Sequence, residues 1–154
     1  MSGLRFDVCD GKATNVGPRV WGTAPMTAAA VGARMVSGDV DGNGCNDIAV
    51  VEALPGPGAR IRRLLSNGSA LAEPASGDWS VSSDYDLSLV AGRVAASDID
   101  RDGRDDVIAT YDYGPDFRCH VWLSGWSYSG PAGWYDSDNF GLGLVNGRLV
   151  TGVW

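Results

Sequence analysis

Two stretches of this chain set oxygen-bearing side chains at alternate positions of a short loop: SGDVDGNGCNDIAVV from Ser37 to Val51, and ASDIDRDGRDDVIAT from Ala96 to Thr110. Counting from Asp39, donors fall at loop positions 1, 3, 5 and 9 as Asp39, Asp41, Asn43 and Asp47, with Gly44 at position 6. The second stretch gives Asp98, Asp100, Asp102 and Asp106, with Gly103 at position 6. Alternate acidic side chains on a tightly curled backbone converge on one point. A glycine in sixth place supplies the positive φ that lets the next carbonyl, of Cys45 or Arg104, join them. Hard oxygens in this number suit calcium. Magnesium demands a stricter octahedron and keeps more of its water, whereas zinc and copper prefer His or Cys side chains. One copy alone could be a plain Asp/Gly turn, but two copies in the same register argue for a ligand cage.

The elements around the loops must hold them curled. An EF-hand starts the same way but needs a bidentate Glu at position 12 and a helix on either side; position 12 here is Val50 in one copy and Ala109 in the other. Each loop runs instead into an apolar, β-branched segment, Ile48-Ala49-Val50-Val51 or Val107-Ile108-Ala109-Thr110, the pattern of a strand buried on both faces. The cage is therefore expected to cap a β-hairpin. Twenty-two Gly and seven Pro scattered along the 154 residues leave no room for a long amphipathic helix, and the chain reads as all-β.

The similarity between the loops extends to their surroundings. Trp21, Trp79 and Trp134 lie 58 and 55 residues apart, and Asp39 and Asp98 lie 59 apart, so the chain is a repeat protein. One unit spans 32–91, with strands expected over 34–38, 47–53 and 59–66 and a last one near Trp79; a second spans 92–146 in the same order. Residues 4–31 match the second half of a unit, and 147–154 match the first strand of the next, with Val153 where Asp39 and Asp98 stood. Four short antiparallel strands joined by tight turns and repeated are the signature of β-propeller blades. Two complete blades plus one split between the termini are too few for a closed ring, so either several chains close it or the chain is a piece of a longer polypeptide; closure by oligomerisation, with two chains giving six blades, is the preferred expectation.

DVDGNGCNDIAVV and DIDRDGRDDVIAT resemble the FG-GAP/VCBS-type repeats of integrin α-subunit propellers and of many secreted bacterial proteins. LLSNGSALAEP and VWLSGWSYSGPAGWYDS are similar to repeats appended to extracellular actinobacterial hydrolases. The resemblance implies calcium in the hairpin between a blade's first two strands, held by Asp39, Asp41, Asn43, the Cys45 carbonyl and Asp47, and again by Asp98, Asp100, Asp102, the Arg104 carbonyl and Asp106. It also implies secretion, although MSGLRF at the N-terminus has no signal-peptide character. The family includes fungal propeller lectins that bind sugars between blades. A non-catalytic, calcium-binding propeller lectin is accordingly the first expectation, and a calcium-stabilised scaffold or protein-interaction module from a larger secreted enzyme is the alternative.

Saccharides offer apolar C–H faces ringed by hydroxyls, so aromatic platforms beside polar side chains are the glycan-binding candidates: Trp21, Trp79, Trp126, Tyr128, Trp134 and Tyr135. For any single Trp interblade packing is the favoured account, with Trp126 and Tyr128, in a predicted turn, the pair expected to be exposed. His120, the single histidine, lies in an alternating strand pattern without a visible catalytic partner, and no nucleophile elbow, phosphate loop or zinc motif is present, so no enzymatic activity is expected. The formal charge is -7, with 17 Asp but only Glu52 and Glu73. A single lysine and no basic stripe disfavour a nucleic-acid partner, and no apolar run is long enough to span a membrane. Cys9, Cys45 and Cys119 show no metal or redox spacing; Cys9 with Cys119 is one candidate disulfide.

Overall fold

A computed structural model gives backbone and side chains for residues 34–90 and 94–125, and backbone for strands at 3–7, 12–16 and 132–136. The fold is all-β. Its strands are β1 (Gly3–Asp7), β2 (Lys12–Val16), β3 (Met35–Gly38), β4 (Asp47–Ala53), β5 (Ala59–Ser66), β6 (Leu71–Ala72), β7 (Ser80–Ser82), β8 (Val94–Ser97), β9 (Asp106–Asp112), β10 (Phe117–Trp122) and β11 (Ala132–Asp136). Every described pairing is antiparallel, and the only helical turn among the described residues is a 3-10 turn at Leu87–Leu89.

The first sheet runs β3-β4-β5, with β6 and β7 sharing the outer edge of β5; the second runs β8-β9-β10-β11; β1 and β2 form a separate hairpin within the half-unit expected over 4–31. The two large sheets keep the same register. Met35 faces Val50 and Gly38 faces Asp47, while Val94 faces Ala109 and Ser97 faces Asp106, each residue advanced by 59. Strands β4 and β5 match their expected bounds, because a continuous apolar run followed by Pro55-Gly56-Pro57-Gly58 leaves little freedom in where the chain turns. The outer strand differs from expectation: it is broken into β6 and β7, with Trp79 just before β7. A two-residue pairing such as Leu71–Ala72 is too short to show a period. The Asn67-Gly68-Ser69 turn joins β5 to β6, with Gly68 at φ +79° and the Asn67 carboxamide oxygen accepting from the Ser69 and Ala70 N–H groups.

The sheets stack on a shared core. Ala49 and Val51 of β4, Ala59 and Ile61 of β5, Tyr85, Leu87 and Val90 of the connection, Val107 and Ala109 of β9 and Trp122 of β10 form one buried cluster. Strand alternation makes this contact asymmetric. The counterpart of Ala49 in the second sheet is Ile108, which faces away from Val107 and Ala109. One face of the first sheet thus meets the opposite face of the second, and their first strands, β3 and β8, lie side by side. The first strand expected over 147–154 lies outside the described residues.

Candidate metal centres

Each loop joins the first two strands of its sheet, so the hairpin ladder fixes both ends of the curl. Gly44 and Gly103, in sixth place, have φ of +83° and +87°, as the sequence requires. A second left-handed position was not legible: fourth place is Gly42 at φ +76° in the first loop and Arg101 at φ +64° in the second. Only the glycine copy could have signalled it, since an arginine there pays the Cβ clash that glycine avoids.

Within the first loop the Asp39 carboxylate collects the N–H groups of Gly42, Asn43 and Gly44 at 2.8, 3.0 and 2.8 Å. Asp41 accepts from the Asn43 N–H at 3.1 Å, and the Asn43 side-chain oxygen from the Cys45 N–H at 2.7 Å. The second loop repeats the pattern: Asp98 accepts from Asp102 and Gly103, Asp100 from Asp102, and Asp102 from Arg104. Backbone donors fix the positions of these acids around the loop.

The ninth-position acids do a further job. Asp47 and Asp106 are both fully buried. Asp47 accepts from Val40 N–H at 3.0 Å and Ser66 N–H at 2.7 Å, tying its loop to the end of β5. Asp106 accepts from Ile99 at 3.0 Å and Ser124 at 2.8 Å, tying its loop to the end of β10. Burial raises the pKa of both, and the other loop acids, Asp41 and Asp39 or Asp100 and Asp102, add to it. Among the described residues no Arg or Lys lies within ion-pair distance of either carboxylate. The two backbone N–H groups on each, and for Asp47 the nearby charge of Arg63, offset part of the burial cost; a bound cation would offset more of it.

Ligand atoms of Asp39, Asp41 and Asp47 all lie within 4.8 Å of one another, and so do those of Asp98, Asp100 and Asp106. Two acidic triads are therefore assembled that can hold a cation, and an all-oxygen donor set fits a hard one. Asp102 is not in its triad; its Oδ2 lies against Gly125, where a Cβ would come within 2.5 Å. No family model, curated protein or solved structure matches the chain.

Cys45, whose carbonyl is a candidate ligand, is buried and disulfide-bonded. Cys119 is a free thiol, half-buried, which corrects the Cys9–Cys119 candidate. It sits on the face of β10 opposite His120, and burial raises its pKa.

Of the aromatic candidates, Trp79 has a described side chain: half-buried, it packs against the core with the Arg63 guanidinium 5.3 Å from its ring centroid. Trp134 and Tyr135 lie on β11, while Trp21, Trp126 and Tyr128 lie outside the described residues. The described aromatic cluster is a different one, at the seam between the sheets. His120 is buried, with Nδ1 3.1 Å from the Tyr85 hydroxyl and Nε2 3.4 Å from that of Tyr113. Tyr111 packs against Tyr85, Tyr113 and His120, and the Arg118 guanidinium lies 4.6 Å from the Tyr113 ring centroid. Burial lowers the His120 pKa, and Arg118 lowers it further. Arg34 donates to the Leu87 carbonyl at 3.3 Å, holding the connection over the core. Among the described residues no helix is long and apolar enough to cross a membrane.

Proposed function

We propose that this chain is a calcium-binding, non-catalytic interaction module built of propeller blades of the FG-GAP/VCBS type. The observation that carries this reading is the repetition of one loop, with the same register, the first-position Asp accepting from the fifth and sixth N–H groups in both copies and the same buried ninth-position acid, in two sheets stacked front to back. Front-to-back stacking is a heterologous contact, and heterologous contacts close into rings when the rotation permits. Two chains completing six blades is the arrangement proposed. The disulfide at Cys45 favours an oxidising, extracellular setting.

Saccharide is the second reading for what the module binds, favoured by Tyr113, 44% exposed at the seam beside Arg118 and the buried His120. The Arg118 guanidinium lies over one face of that ring, so a saccharide would meet the exposed part of the tyrosine together with the guanidinium edge. A glycan array in calcium buffer separates it from protein interaction: no saccharide bound at high protein concentration would remove it.

The calcium claim is tested by thermal melts. An ion bound only by the folded state stabilises it by about 2.7 kcal/mol per site at a hundredfold excess over Kd, and for a domain of this size each kcal/mol moves Tm by roughly 2–4 °C. Calcium should raise Tm above its value in chelator by about 10 °C or more, with magnesium less effective. The same Tm in both buffers would overturn it.

A further inference from the structure

We propose that Asp105 couples the two loops, so that a cation held in the second raises the cation affinity of the first. This rests on the cation-binding reading above and adds to it a coupling and the residue that carries it.

The observation is a reciprocal pair of hydrogen bonds between the sheets. Asp105 N–H donates to the Asp39 carbonyl at 2.7 Å, and Asp39 N–H donates to Asp105 Oδ2 at 2.8 Å. Asp39 is the first ligand of its loop and the residue whose carboxylate gathers three backbone N–H groups there. Asp105 stands between Arg104, whose carbonyl is a candidate ligand, and Asp106, the buried ninth-position acid. A cation that fixes the ligands on both sides of Asp105 fixes the backbone on which Asp39 is docked.

The contact is close-fitted. A Cβ at Gly38, the residue before Asp39, would meet Asp105 Oδ2 at 2.6 Å and the Ala96 Cβ at 3.0 Å, so glycine is what lets the loops approach. The loops touch again where a Cβ at Gly42 would lie 3.1 Å from the Arg104 Cγ.

At the ligand positions the second loop has one more acidic side chain than the first, Asp102 against Asn43, but with Asp105 counted, Arg101 and Arg104 bring both loops, 39–47 and 98–106, to the same formal -3. Coupling between two sites is reciprocal, so it does not depend on which loop fills first. With Asp105 the two loops hold eight Asp and two Arg, a formal -8 + 2 = -6 that two calcium ions bring to -2. The later ion still enters a negative field, and preorganisation of Asp39 outweighs repulsion between the ions.

Asp105 is a positioning residue, and calorimetric titration of the whole chain with calcium chloride tests it. Disabling the second loop with Asp98→Ala and Asp100→Ala should weaken binding at the first by about fivefold or more. In an Asp105→Ala background, which leaves only the backbone half of the pair, the same change should alter first-loop affinity by less than about twofold. Asp105→Asn keeps an oxygen to accept the Asp39 N–H and should retain coupling. Asp105→Ser, too short to reach, replaces the alanine variant if melts in chelator show that one unfolded. First-loop affinity unchanged by disabling the second, with Asp105 intact, would overturn the coupling and leave the cation reading standing. No binding heat in the unaltered chain would overturn both.

Discussion

At the scale of single residues, the loop acids divide into those that hold the backbone and those that await an ion. Asp106→Ala strands two N–H groups, of Ile99 and Ser124, and should cost about 1–3 kcal/mol for each orphaned donor even in chelator. Asp100→Ala removes an exposed side chain with one loop bond; it should change stability in chelator by less than about 0.5 kcal/mol yet abolish part of the calcium-induced rise. Denaturant melts with and without calcium separate the two roles. Arg101, at φ +64° where the first loop has Gly42, should gain roughly 1 kcal/mol on replacement by glycine, seen as a higher midpoint in the same melts. His120 gives a pH dependence of defined sign. Its folded pKa lies below the usual 6.5, so the folded state binds fewer protons than the unfolded one. Stability is then fully present above pH 6.5 and is lost as pH falls through 6.5 toward the folded value. Tm measured between pH 7.5 and 5.5 should fall more for the unaltered chain than for His120→Gln; equal slopes would contradict this.

At the scale of the elements, the hairpins were the most legible part. The loops, β4 and β5 could be read from Asp and Gly spacing followed by apolar β-branched runs, because one-residue slips would turn buried faces outward. The broken outer strand was not legible, since β6 is two residues long and the interruption is filled by a polar network rather than by an apolar pattern. In that network Glu52 meets Arg60 at 2.7 Å and Arg62 at 3.4 Å, while Arg62 also pairs with Glu73. Arg62 and Glu52 are buried on the face of the first sheet away from the shared core. Glu52→Ala removes the carboxylate that Arg60 and Arg62 share while Asp78 and Glu73 still face them, so it should cost about 1–3 kcal/mol, more than Asp78→Ala at the more exposed end. The tie at Cys45 was likewise hidden, because three cysteines permit several pairings and sequence spacing does not choose among them. Reduction should cost about 2–4 kcal/mol, read as a lower Tm, and should weaken calcium binding by the first loop more than by the second.

At the scale of the whole molecule, the repeat period led to the expectation of two like units, and the first hairpins of the two sheets share one register, although one sheet has five strands and the other four. Their front-to-back stacking was beyond the reach of periodicity, since it depends on which face of each strand the large side chains fill. Tyr85, Leu87 and Val90, in a connection with no strand pattern, close the seam between them. Ring closure by a second chain follows from this stacking as a proposal, and light scattering in calcium should return a discrete mass of two chains; a monomer at all concentrations would count against it. The central claim, however, is that the two acidic loops hold calcium. The most direct test is the number of calcium ions retained per chain after desalting, counted by native mass spectrometry on the unaltered protein and on Asp98→Ala/Asp100→Ala. Two ions on the first and one on the second are predicted; none on either, with the protein folded, would contradict the account.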